Sequence, residues 1–320
     1  MTTFGYHASH EQHAPSRLLD YVRTAEEAGF AAAMCSDHFH PWLERQGHSG
    51  FAWSWLGAAL DATGLSFGCV NAPGWRYHPA VIAQAAATLA EMFPGRFWIA
   101  VGSGEALNEH VTGERWPPKA ERNARLRESV EIMRALWAGE TVTHYGRVTV
   151  EEAKLYTRPE RPPLVFGAAL TEETARWIGA WADGLITVGA KPARFDAIVG
   201  AFRDGGGAGK PVKVQASLAW ARTEEEARRV AHEQWAANLL GSDVLADLRM
   251  PAQFEAAARF VSMDEVLEVL PVSCEPEAHA DHLRRYVEAG IDDVYLFNVG
   301  PHQREFIEVF GERVLPALRS

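Results

Sequence analysis

The sequence predicts an α/β fold, a (β/α)8 TIM barrel formed by a single domain over residues 1–320. Eight short apolar runs typical of buried parallel strands alternate with segments of helical periodicity along the chain. No Gly-x-Gly-x-x-Gly motif follows the first strand, which argues against an open nucleotide-binding sheet. No linker divides the sequence into two parts. Together these observations favour one closed barrel.

The apolar runs and the residues that end them place the elements in chain order. Strands are expected at residues 4–6, 31–36, 65–71, 97–102, 164–168, 184–188, 212–219 and 293–298. Helices are expected at 15–28, 78–93, 119–138, 171–182, 192–202, 224–235 and 302–318. Alternating polar and apolar residues around Gly146 predict an inserted hairpin at 141–150, and extra helices are expected between 238 and 272. The glycine run at 205–207 fits a loop.

Composition and charge exclude several classes of function. Apolar residues make up 47% of the chain, and 31 Lys and Arg against 42 Asp and Glu give a net charge of -11. This charge has the wrong sign for binding nucleic acid or an anionic membrane, and no polybasic run offsets it locally. The three cysteines form no Cys-x-x-Cys pair and the first residues resemble no secretion signal, so we expect a cytoplasmic protein.

The loop after the second strand carries the strongest candidate for acid–base chemistry. Active sites of such barrels lie at the carboxyl ends of the strands, and Ser-Asp-His-Phe-His-Pro-Trp occupies positions 36–42. His38 is suited to accept a proton from a substrate alcohol, whereas His40 before a proline fits a structural role better. The His38-x-His40 spacing also resembles the start of a metal site, but strands five and six end without further ligands. A purely structural role for Asp37 and His38 is the plain alternative.

Small residues and glycines follow the next strands. Gly102 and Gly104 let the backbone approach a flat or phosphorylated ligand, and Glu105 between them and the next helix could exchange a proton with it. A tight turn with a helix-capping acid is the alternative. Lys191, at the start of a helix, fits either a phosphate ligand or a solvated surface lysine. The aromatic residues at 51, 53 and 55 fit core or interface packing better than a substrate pocket.

These motifs make the chain similar to a known family. The matching segments include GYHASHEQ from Gly5, SDHFHPW from Ser36 and GSGEALNEH from Gly102. The chain resembles the luciferase-like (LLM class) flavin-dependent oxidoreductases of the bacterial luciferase superfamily. Within them it is similar to the branch that includes the F420-dependent glucose-6-phosphate dehydrogenases. The resemblance covers nearly the whole chain.

The resemblance implies a barrel that moves a hydride between a small organic substrate and a flavin or deazaflavin ring. By match to the family motif, His38 is the base, Trp42 steadies the developing charge, and Glu105 is the acid that protonates the ring. A non-prolyl cis peptide bond between Cys69 and Val70 is also implied. The residues expected to bind the cofactor, some from the resemblance and some from their place at strand ends, are Asp37, Cys69, Val70, Asn71, Gly102, Ser103, Gly104, Asn108, Gly167, Ala168, Ala169, Val188, Gly189 and Lys191.

Departures from that branch bear on cofactor and substrate. The turn at residues 167–169 reads Gly-Ala-Ala where the branch has Ala-Gly-Gly, and this bulk is expected to crowd the phosphodiester tail of F420. The residues before Cys274 lack the lysine that sugar-phosphate enzymes place there, which argues against glucose 6-phosphate. AAMCSDHFHPW and FGAALT resemble a side branch that uses FMN. We therefore expect FMN in preference to F420.

Other functions stay open on the sequence. The alternatives are a flavin-dependent monooxygenase that uses oxygen, a metal-dependent barrel hydrolase, and a flavin-binding module without turnover. The expected partner is a small-molecule substrate, and the family favours a homodimer.

Overall fold

The computed structural model describes residues 2–189 and 191–319. The strands are β1 (Thr3–Ala8), β2 (Ala32–Ser36), β3 (Ser66–Asn71), β4 (Phe97–Val101), β5 (Val142–Tyr145), β6 (Thr149–Ala153), β7 (Val165–Ala168), β8 (Gly184–Val188), β9 (Val212–Trp220), β10 (Val272–Ser273) and β11 (Asp293–Asn298). Eight of them pair in parallel in the order β1-β2-β3-β4-β7-β8-β9-β11, and β11 pairs with β1. The predicted closed (β/α)8 barrel is therefore confirmed.

Helices surround the barrel between its strands. They are α1 (Pro15–Glu27), α2 (Ala52–Ala62), α3 (Pro79–Met92), α4 (Ala106–Glu109), α5 (Lys119–Ala138), α6 (Glu172–Gly179), α7 (Pro192–Phe202), α8 (Glu224–Trp235), α9 (Ser242–Asp247), α10 (Pro251–Ala258), α11 (Met263–Val269), α12 (Pro276–Glu288), α13 (Gln303–Val309) and α14 (Leu315–Arg319). Short 3-10 turns lie at Glu44–Gln46, His110–Thr112 and Ala236–Leu239, and wider π-helical turns at Arg203–Gly207 and Phe310–Val314. Within the described ranges, no helix combines the length and apolarity needed to cross a membrane.

Three helices, α2, α12 and the short α4, were not predicted from the sequence. In α2 the buried residues include Trp53 and Trp55, which are two positions apart, so the segment lacks a single clean apolar stripe. In α12 the buried residues, among them His279, Leu283 and Tyr286, recur at helical spacing, so the sequence does carry a signal for this helix. The predicted hairpin is present as β5 and β6 and runs to Ala153, three residues further than expected. The predicted extra helices are α9, α10 and α11.

Large side chains fill the barrel interior. Met34, Trp98, Phe166 and Tyr295 form a buried cluster inside the sheet. The Trp98 ring packs directly against the backbone of Gly68, because a Cβ atom at that position would overlap the ring. The interior is thus a packed core, and the cavities lined by strand ends lie at the rim.

A buried cation closes the amino-terminal end of the barrel. Lys213 is the second residue of β9, is 8% exposed, and pairs with Asp293 at the start of β11. Its Nζ lies 4.8 Å from the centroid of the Trp98 ring and 4.7 Å from that of Phe166. The ammonium is therefore held by one carboxylate and two aromatic faces.

We predict that the Lys213–Asp293 pair affects stability mainly because removal of one partner leaves the other charge buried alone. Asp293→Asn leaves the Lys213 charge buried without its counter-ion and should lower the free energy of unfolding by about 3 kcal/mol. The double change Lys213→Met with Asp293→Asn removes both charges among the same rings and should restore most of that loss. Urea denaturation followed by circular dichroism measures both. A double variant as unstable as Asp293→Asn would contradict this account.

Candidate active site

Three connected cavities form one cleft across the carboxyl ends of the barrel strands. The central lobe, about 290 Å³, lies above the barrel interior between His7 on β1 and Phe297 on β11. The glycine-loop lobe, about 210 Å³, follows the turn at residues 102–105 towards the start of α5. The basic lobe, about 470 Å³, extends over Lys191 just before α7. Leu170 and Leu245 line all three lobes, so the lobes adjoin one another.

His38 lies where the central and glycine-loop lobes meet. It comes two residues after the end of β2 and lines both lobes. Its ring packs against Trp42 with a centroid distance of 5.2 Å. Its Nδ1 lies 3.4 Å from Oε1 of Glu11, which leaves Nε2 as the ring nitrogen for a ligand.

Glu11 is a buried carboxylate that the sequence analysis did not single out. Its side chain is 3% exposed, and it accepts hydrogen bonds from Ser36 Oγ at 2.5 Å and Ser9 Oγ at 2.9 Å. Burial alone would raise the pKa of Glu11, but the His38 imidazole and the Ser36 hydroxyl together lower it to about 2. Glu11 therefore stays ionised beside His38 throughout the neutral range.

His7 adds a neutral imidazole to the central lobe. Burial lowers its pKa to about 4, although the Glu11 carboxylate opposes that shift. The ring stacks near Phe297 at 4.6 Å, and its Nδ1 has no hydrogen-bond partner among the described residues. The imidazole thus brings hydrogen-bonding capacity to the lobe without a charge.

Two carboxyl groups of the loop after β4 line the glycine-loop lobe. Desolvation by the cleft walls raises the pKa of Glu105, opposed by His38 and reinforced by Glu11. Burial raises the pKa of Glu109 to about 7, opposed by Arg76, whose backbone N–H donates to Glu109 Oε2 at 2.9 Å. Glu105 lines both this lobe and the central lobe, so it faces the same space as His38.

Asp37 ties the strand ends together below the glycine-loop lobe. Its carboxylate accepts hydrogen bonds from Asn71 Nδ2 at 2.8 Å, Trp53 Nε1 at 3.1 Å and Tyr77 Oη at 3.1 Å. Arg76 Nη2 donates to the Asp37 carbonyl oxygen at 2.7 Å and lies 3.5 Å from the carboxylate. These bonds satisfy the buried charge and fix the positions of Asn71 and the neighbouring backbone.

The polar groups of this lobe fit a ring that presents hydrogen-bond donors and acceptors. Asn71 is buried, and its Oδ1 has no hydrogen-bond partner among the described residues, although the residue lines the lobe. Gly104 has a φ of +82°, and a Cβ there would lie 3.2 Å from Trp116 and 3.1 Å from Glu109. The turn therefore brings bare backbone to the wall of the lobe. Bare backbone beside the unpartnered Asn71 amide fits a flavin or deazaflavin ring, which presents hydrogen-bond donors and acceptors.

Most residues predicted to contact the cofactor line the cleft, but in different lobes. Those that line the glycine-loop lobe are Asp37, Val70, Asn71, Gly102, Ser103, Gly104, Asn108 and Ala168. Trp42 and Ala169 line the central lobe, and Gly189 and Lys191 line the basic lobe. Val188 borders both the central and the basic lobe.

Cys69 and Gly167 lie outside the lining of these lobes. Cys69 is fully buried on the helix-facing side of β3, because alternate residues of a strand point to opposite faces of the sheet. A Cβ on Gly167 would overlap Ile178 of α6, so this residue also faces the helix layer. The implied cis bond between Cys69 and Val70 is wrong for this structure, which has no cis peptide among its described residues. Val70 continues the parallel pairing of β3 with β4, and the trans form is the favoured one for non-prolyl bonds.

The two imidazoles of the His-x-His motif have different surroundings. His40 Nδ1 lies 2.8 Å from the Leu107 carbonyl oxygen, and its ring stacks on His110 at 5.4 Å, whereas His38 faces Glu11 and Trp42. Among residues 2–189 and 191–319, no group of three His, Cys, Asp or Glu side chains is placed to hold a metal ion. This geometry gives the hydrolase alternative no support.

Several residues that shape the cleft carry no recognisable local signal. Glu11, Arg76 and Trp53 act on His38 and Asp37 across distances in sequence that only the folded barrel brings together. Glu11 follows the first strand, so its position in the sequence does predict that it lies at the carboxyl end of the barrel. The packing role predicted for Trp53 is confirmed by its burial in α2, and its indole also bonds to Asp37.

Comparison with known proteins finds a family and relatives that match nearly the whole chain. A family model described as luciferase-like monooxygenase matches residues 1–293. Proteins named F420-dependent glucose-6-phosphate dehydrogenase are 37% identical in Nakamurella multipartita and 35% identical in Microbacterium testaceum. Each alignment covers 99% of this chain, with 96% of the first relative and 97% of the second.

Solved structures show the same fold. An F420-dependent secondary alcohol dehydrogenase in complex with an F420–acetone adduct superposes with a TM-score of 0.91 at 32% identity, covering 100% of this chain and 99% of the other. The F420-dependent tetrahydromethanopterin reductase from Methanopyrus kandleri superposes with a TM-score of 0.77 at 20% identity, covering 99% of each chain. From the family match and these relatives, this chain is an oxidoreductase that belongs to the luciferase-like monooxygenase family.

Proposed function

We propose that this protein transfers a hydride between a small uncharged alcohol and the deazaflavin coenzyme F420. The observation that carries the proposal is the pairing of His38 with the buried Glu11 carboxylate across a shared lobe from Glu105. This arrangement places a base, His38, and an acid, Glu105, in the same cavity. The reaction needs the base without its proton and the acid with its proton. Relatives named as F420-dependent dehydrogenases support the coenzyme.

The protein's own residues divide the proton transfers between them. The bound ring, when present, supplies the carbon that accepts the hydride from the alcohol carbon. His38 takes the hydroxyl proton at Nε2, and Glu11 stabilises the resulting imidazolium from the Nδ1 side. Trp42 packs against His38 and restricts its ring to this orientation. Glu105, whose pKa desolvation raises, would donate a proton to the reduced ring.

The lining of the central lobe supports an uncharged substrate. Its polar residues include Gln46, Gln215, Gln234 and Asn238, and neither Lys nor Arg is among the described residues that line it. The cations of the basic lobe have protein partners: Lys191 pairs with Glu268 at 3.2 Å, and Arg194 Nη2 donates to the Leu170 carbonyl oxygen at 3.1 Å. This favours a secondary alcohol of the kind implied by the acetone adduct of the similar structure over a sugar phosphate.

The preference for FMN stays a prediction. The Ala168 and Ala169 methyl groups lie on the cleft, as the crowding argument requires. F420 is nevertheless the coenzyme named for the relatives on both the sequence and the structure side, and we adopt it for the proposal. The homodimer and the cytoplasmic location likewise stay predictions.

The proposed function is tested by offering substrates and cofactors separately. Purified protein should bleach the absorbance of oxidised F420 in the presence of 2-propanol, with much slower or no reaction on glucose 6-phosphate. The reverse reaction with acetone and reduced F420 serves as the control for direction. No alcohol-dependent bleaching over a panel of primary and secondary alcohols would overturn the proposal. Turnover with FMN alone would replace the coenzyme and keep the reaction class.

We predict that His38→Asn lowers turnover by about a hundredfold or more, the effect expected of a general base. The affinity for the cofactor should change little, because the hydrogen bond from Asn71 to Asp37 that fixes the wall of the glycine-loop lobe does not involve His38. His40→Asn is the matched control, since its imidazole contacts the Leu107 carbonyl oxygen and the rings of Phe39 and His110 and lines neither the central nor the glycine-loop lobe. Steady-state kinetics and fluorescence titration separate the two effects. Equal loss of turnover in both variants would remove His38 from the base role.

The raised pKa of Glu105 predicts the alkaline side of the pH profile. As pH rises through that raised pKa, Glu105 loses the proton it must donate, so kcat/KM should fall. Glu105→Gln should lower turnover at neutral pH and abolish this alkaline fall. Glu109→Gln is the control, because burial raises the pKa of Glu109 to about 7 but, unlike Glu105, this residue does not line the central lobe that His38 lines. An alkaline limb that persists in Glu105→Gln and vanishes in Glu109→Gln would assign it to Glu109.

A further inference from the structure

The central lobe carries more hydrogen-bonding groups than the proposed reaction uses. One imidazole and two carboxyl groups serve the proton transfers in the function proposed above. Four further polar side chains line the same lobe and take no part in those transfers: His7, Gln215, Gln234 and Asn238. Polar groups placed in a cavity fix the orientation and the identity of its ligand. These four residues therefore bear on which alcohol the lobe accepts.

Two of the four come from the barrel strands. The residues on either side of His7 in β1 and of Gln215 in β9 pack in the helix-facing core, so both side chains point to the barrel interior. His7 is 3% exposed, and its Nδ1 has no hydrogen-bond partner among the described residues. The Gln215 carboxamide likewise forms no hydrogen bond within the described part of the chain. Both groups are thus available to a ligand.

The other two come from α8 and the turn that follows it. Gln12 Nε2 donates to Gln234 Oε1 at 3.2 Å and to the Val299 carbonyl oxygen at 2.9 Å. Because the oxygen of the Gln234 carboxamide is the acceptor in this bond, its N–H groups are left to donate elsewhere. Asn238, in the turn Ala236–Leu239, forms no side-chain hydrogen bond with the residues that the structure describes.

The four groups are neutral, and each can both donate and accept. Burial lowers the pKa of His7 to about 4, so its imidazole is uncharged at neutral pH, with one N–H donor and one acceptor nitrogen. Carboxamides have the same dual capacity. A hydroxyl group also donates and accepts, so it matches such partners, whereas a charged group gains no counter-ion from them. The rings of Trp42, Trp235 and Phe297 line the same lobe and offer apolar surface to carbon.

We propose that the substrate is a neutral polyol, a secondary alcohol with at least one further hydroxyl on a neighbouring carbon, and that His7, Gln215, Gln234 and Asn238 bind the further hydroxyls. The inference rests on the proposed function, because the same ring accepts the hydride. The C–H bond of one carbinol carbon breaks and its two electrons leave with the hydride, the hydroxyl proton goes to His38, and the product is a hydroxyketone. The other hydroxyl groups stay intact.

The cost of leaving buried polar groups without partners explains why a simple alkyl alcohol fits less well. Such an alcohol displaces water from the lobe but offers no hydrogen bond to the imidazole or the carboxamides. A site built to bind a hydroxyl discriminates strongly against the analogue that lacks it for this reason. Discrimination within this lobe therefore depends on the second hydroxyl.

A pair of alcohols with the same shape tests the proposal. Butane-2,3-diol and 3-methylbutan-2-ol differ by one hydroxyl in place of a methyl group, and each has only secondary carbinol carbons. Bleaching of oxidised F420 by the wild-type protein should give a kcat/KM at least about tenfold higher for the diol. 3-Aminobutan-2-ol has the same shape and a positive charge at neutral pH. It should react no faster than the alcohol with the methyl group, although the Glu11 carboxylate lines the lobe.

Two variants assign the preference to the polar side chains. Gln215→Leu and His7→Phe should each lower the ratio of kcat/KM for diol over 3-methylbutan-2-ol by about fivefold or more. The ratio is taken within each variant, so a general loss of activity cancels. Gln215 is only half-buried, so its replacement keeps the test available if His7→Phe does not fold.

Ser217→Ala is the matched control. Ser217 lies two residues after Gln215 in β9, and its Oγ also has no hydrogen-bond partner among the described residues. It lines the basic lobe and is not among the residues that line the central lobe. The ratio in Ser217→Ala should therefore equal that of the wild-type protein.

The outcomes separate this inference from the proposed function. Equal kcat/KM for the diol and 3-methylbutan-2-ol, or a preference for the amine, would overturn the inference and leave the function standing. A ratio unchanged in Gln215→Leu, or lowered as much in Ser217→Ala, would do the same. Absence of bleaching with these three compounds and with 2-propanol would overturn both.

Discussion

The buried carboxylate of Asp37 organises the cleft, because it binds the loops that follow β2 and β3 to one another. Trp53 comes to it from α2, Asn71 from the end of β3, and Tyr77 from the loop before α3. A buried carboxylate without these donors would be strongly unfavourable, so the geometry that satisfies it is narrowly defined. His38 follows Asp37 directly in sequence. The position of the proposed base is therefore set by a charge one residue away that takes no part in proton transfer.

The cleft also contains two acids whose pKa values are shifted in opposite directions. Glu11 and Glu105 face one imidazole, yet the pKa of the first is lowered and that of the second is raised. The difference arises because the His38 imidazole and the Ser36 hydroxyl lower the pKa of Glu11 in spite of its burial, whereas burial dominates at Glu105. Two chemically similar side chains can thus hold different protonation states within one cavity. The cleft needs both states at once for the proposed chemistry.

Sequence patterns predicted the barrel well, and the site in part. The helix expected at 119–138 begins and ends where α5 does, because a long polar helix with a clear end at Gly139 depends on local signals. The residues of the glycine-rich turn after β4 line the cleft, since every strand of a parallel barrel ends at the same rim. Glu11 was missed because its role depends on Ser36 and His38, which are distant in sequence. The prediction that Cys69 binds the cofactor did not account for the direction of its side chain, which faces the helices while that of Val70 lines the cleft.

The aromatic cage around Lys213 lies at the opposite end of the barrel from the cleft. The packing of this cage does not depend on which side chains occupy the rim, so the rim residues can change without disturbing it. Such a separation lets a lineage exchange substrates and cofactors by altering loops while the scaffold stays folded. In evolutionary terms, a packed floor that stays unchanged lets the fold tolerate substitutions at the rim that produce new specificities.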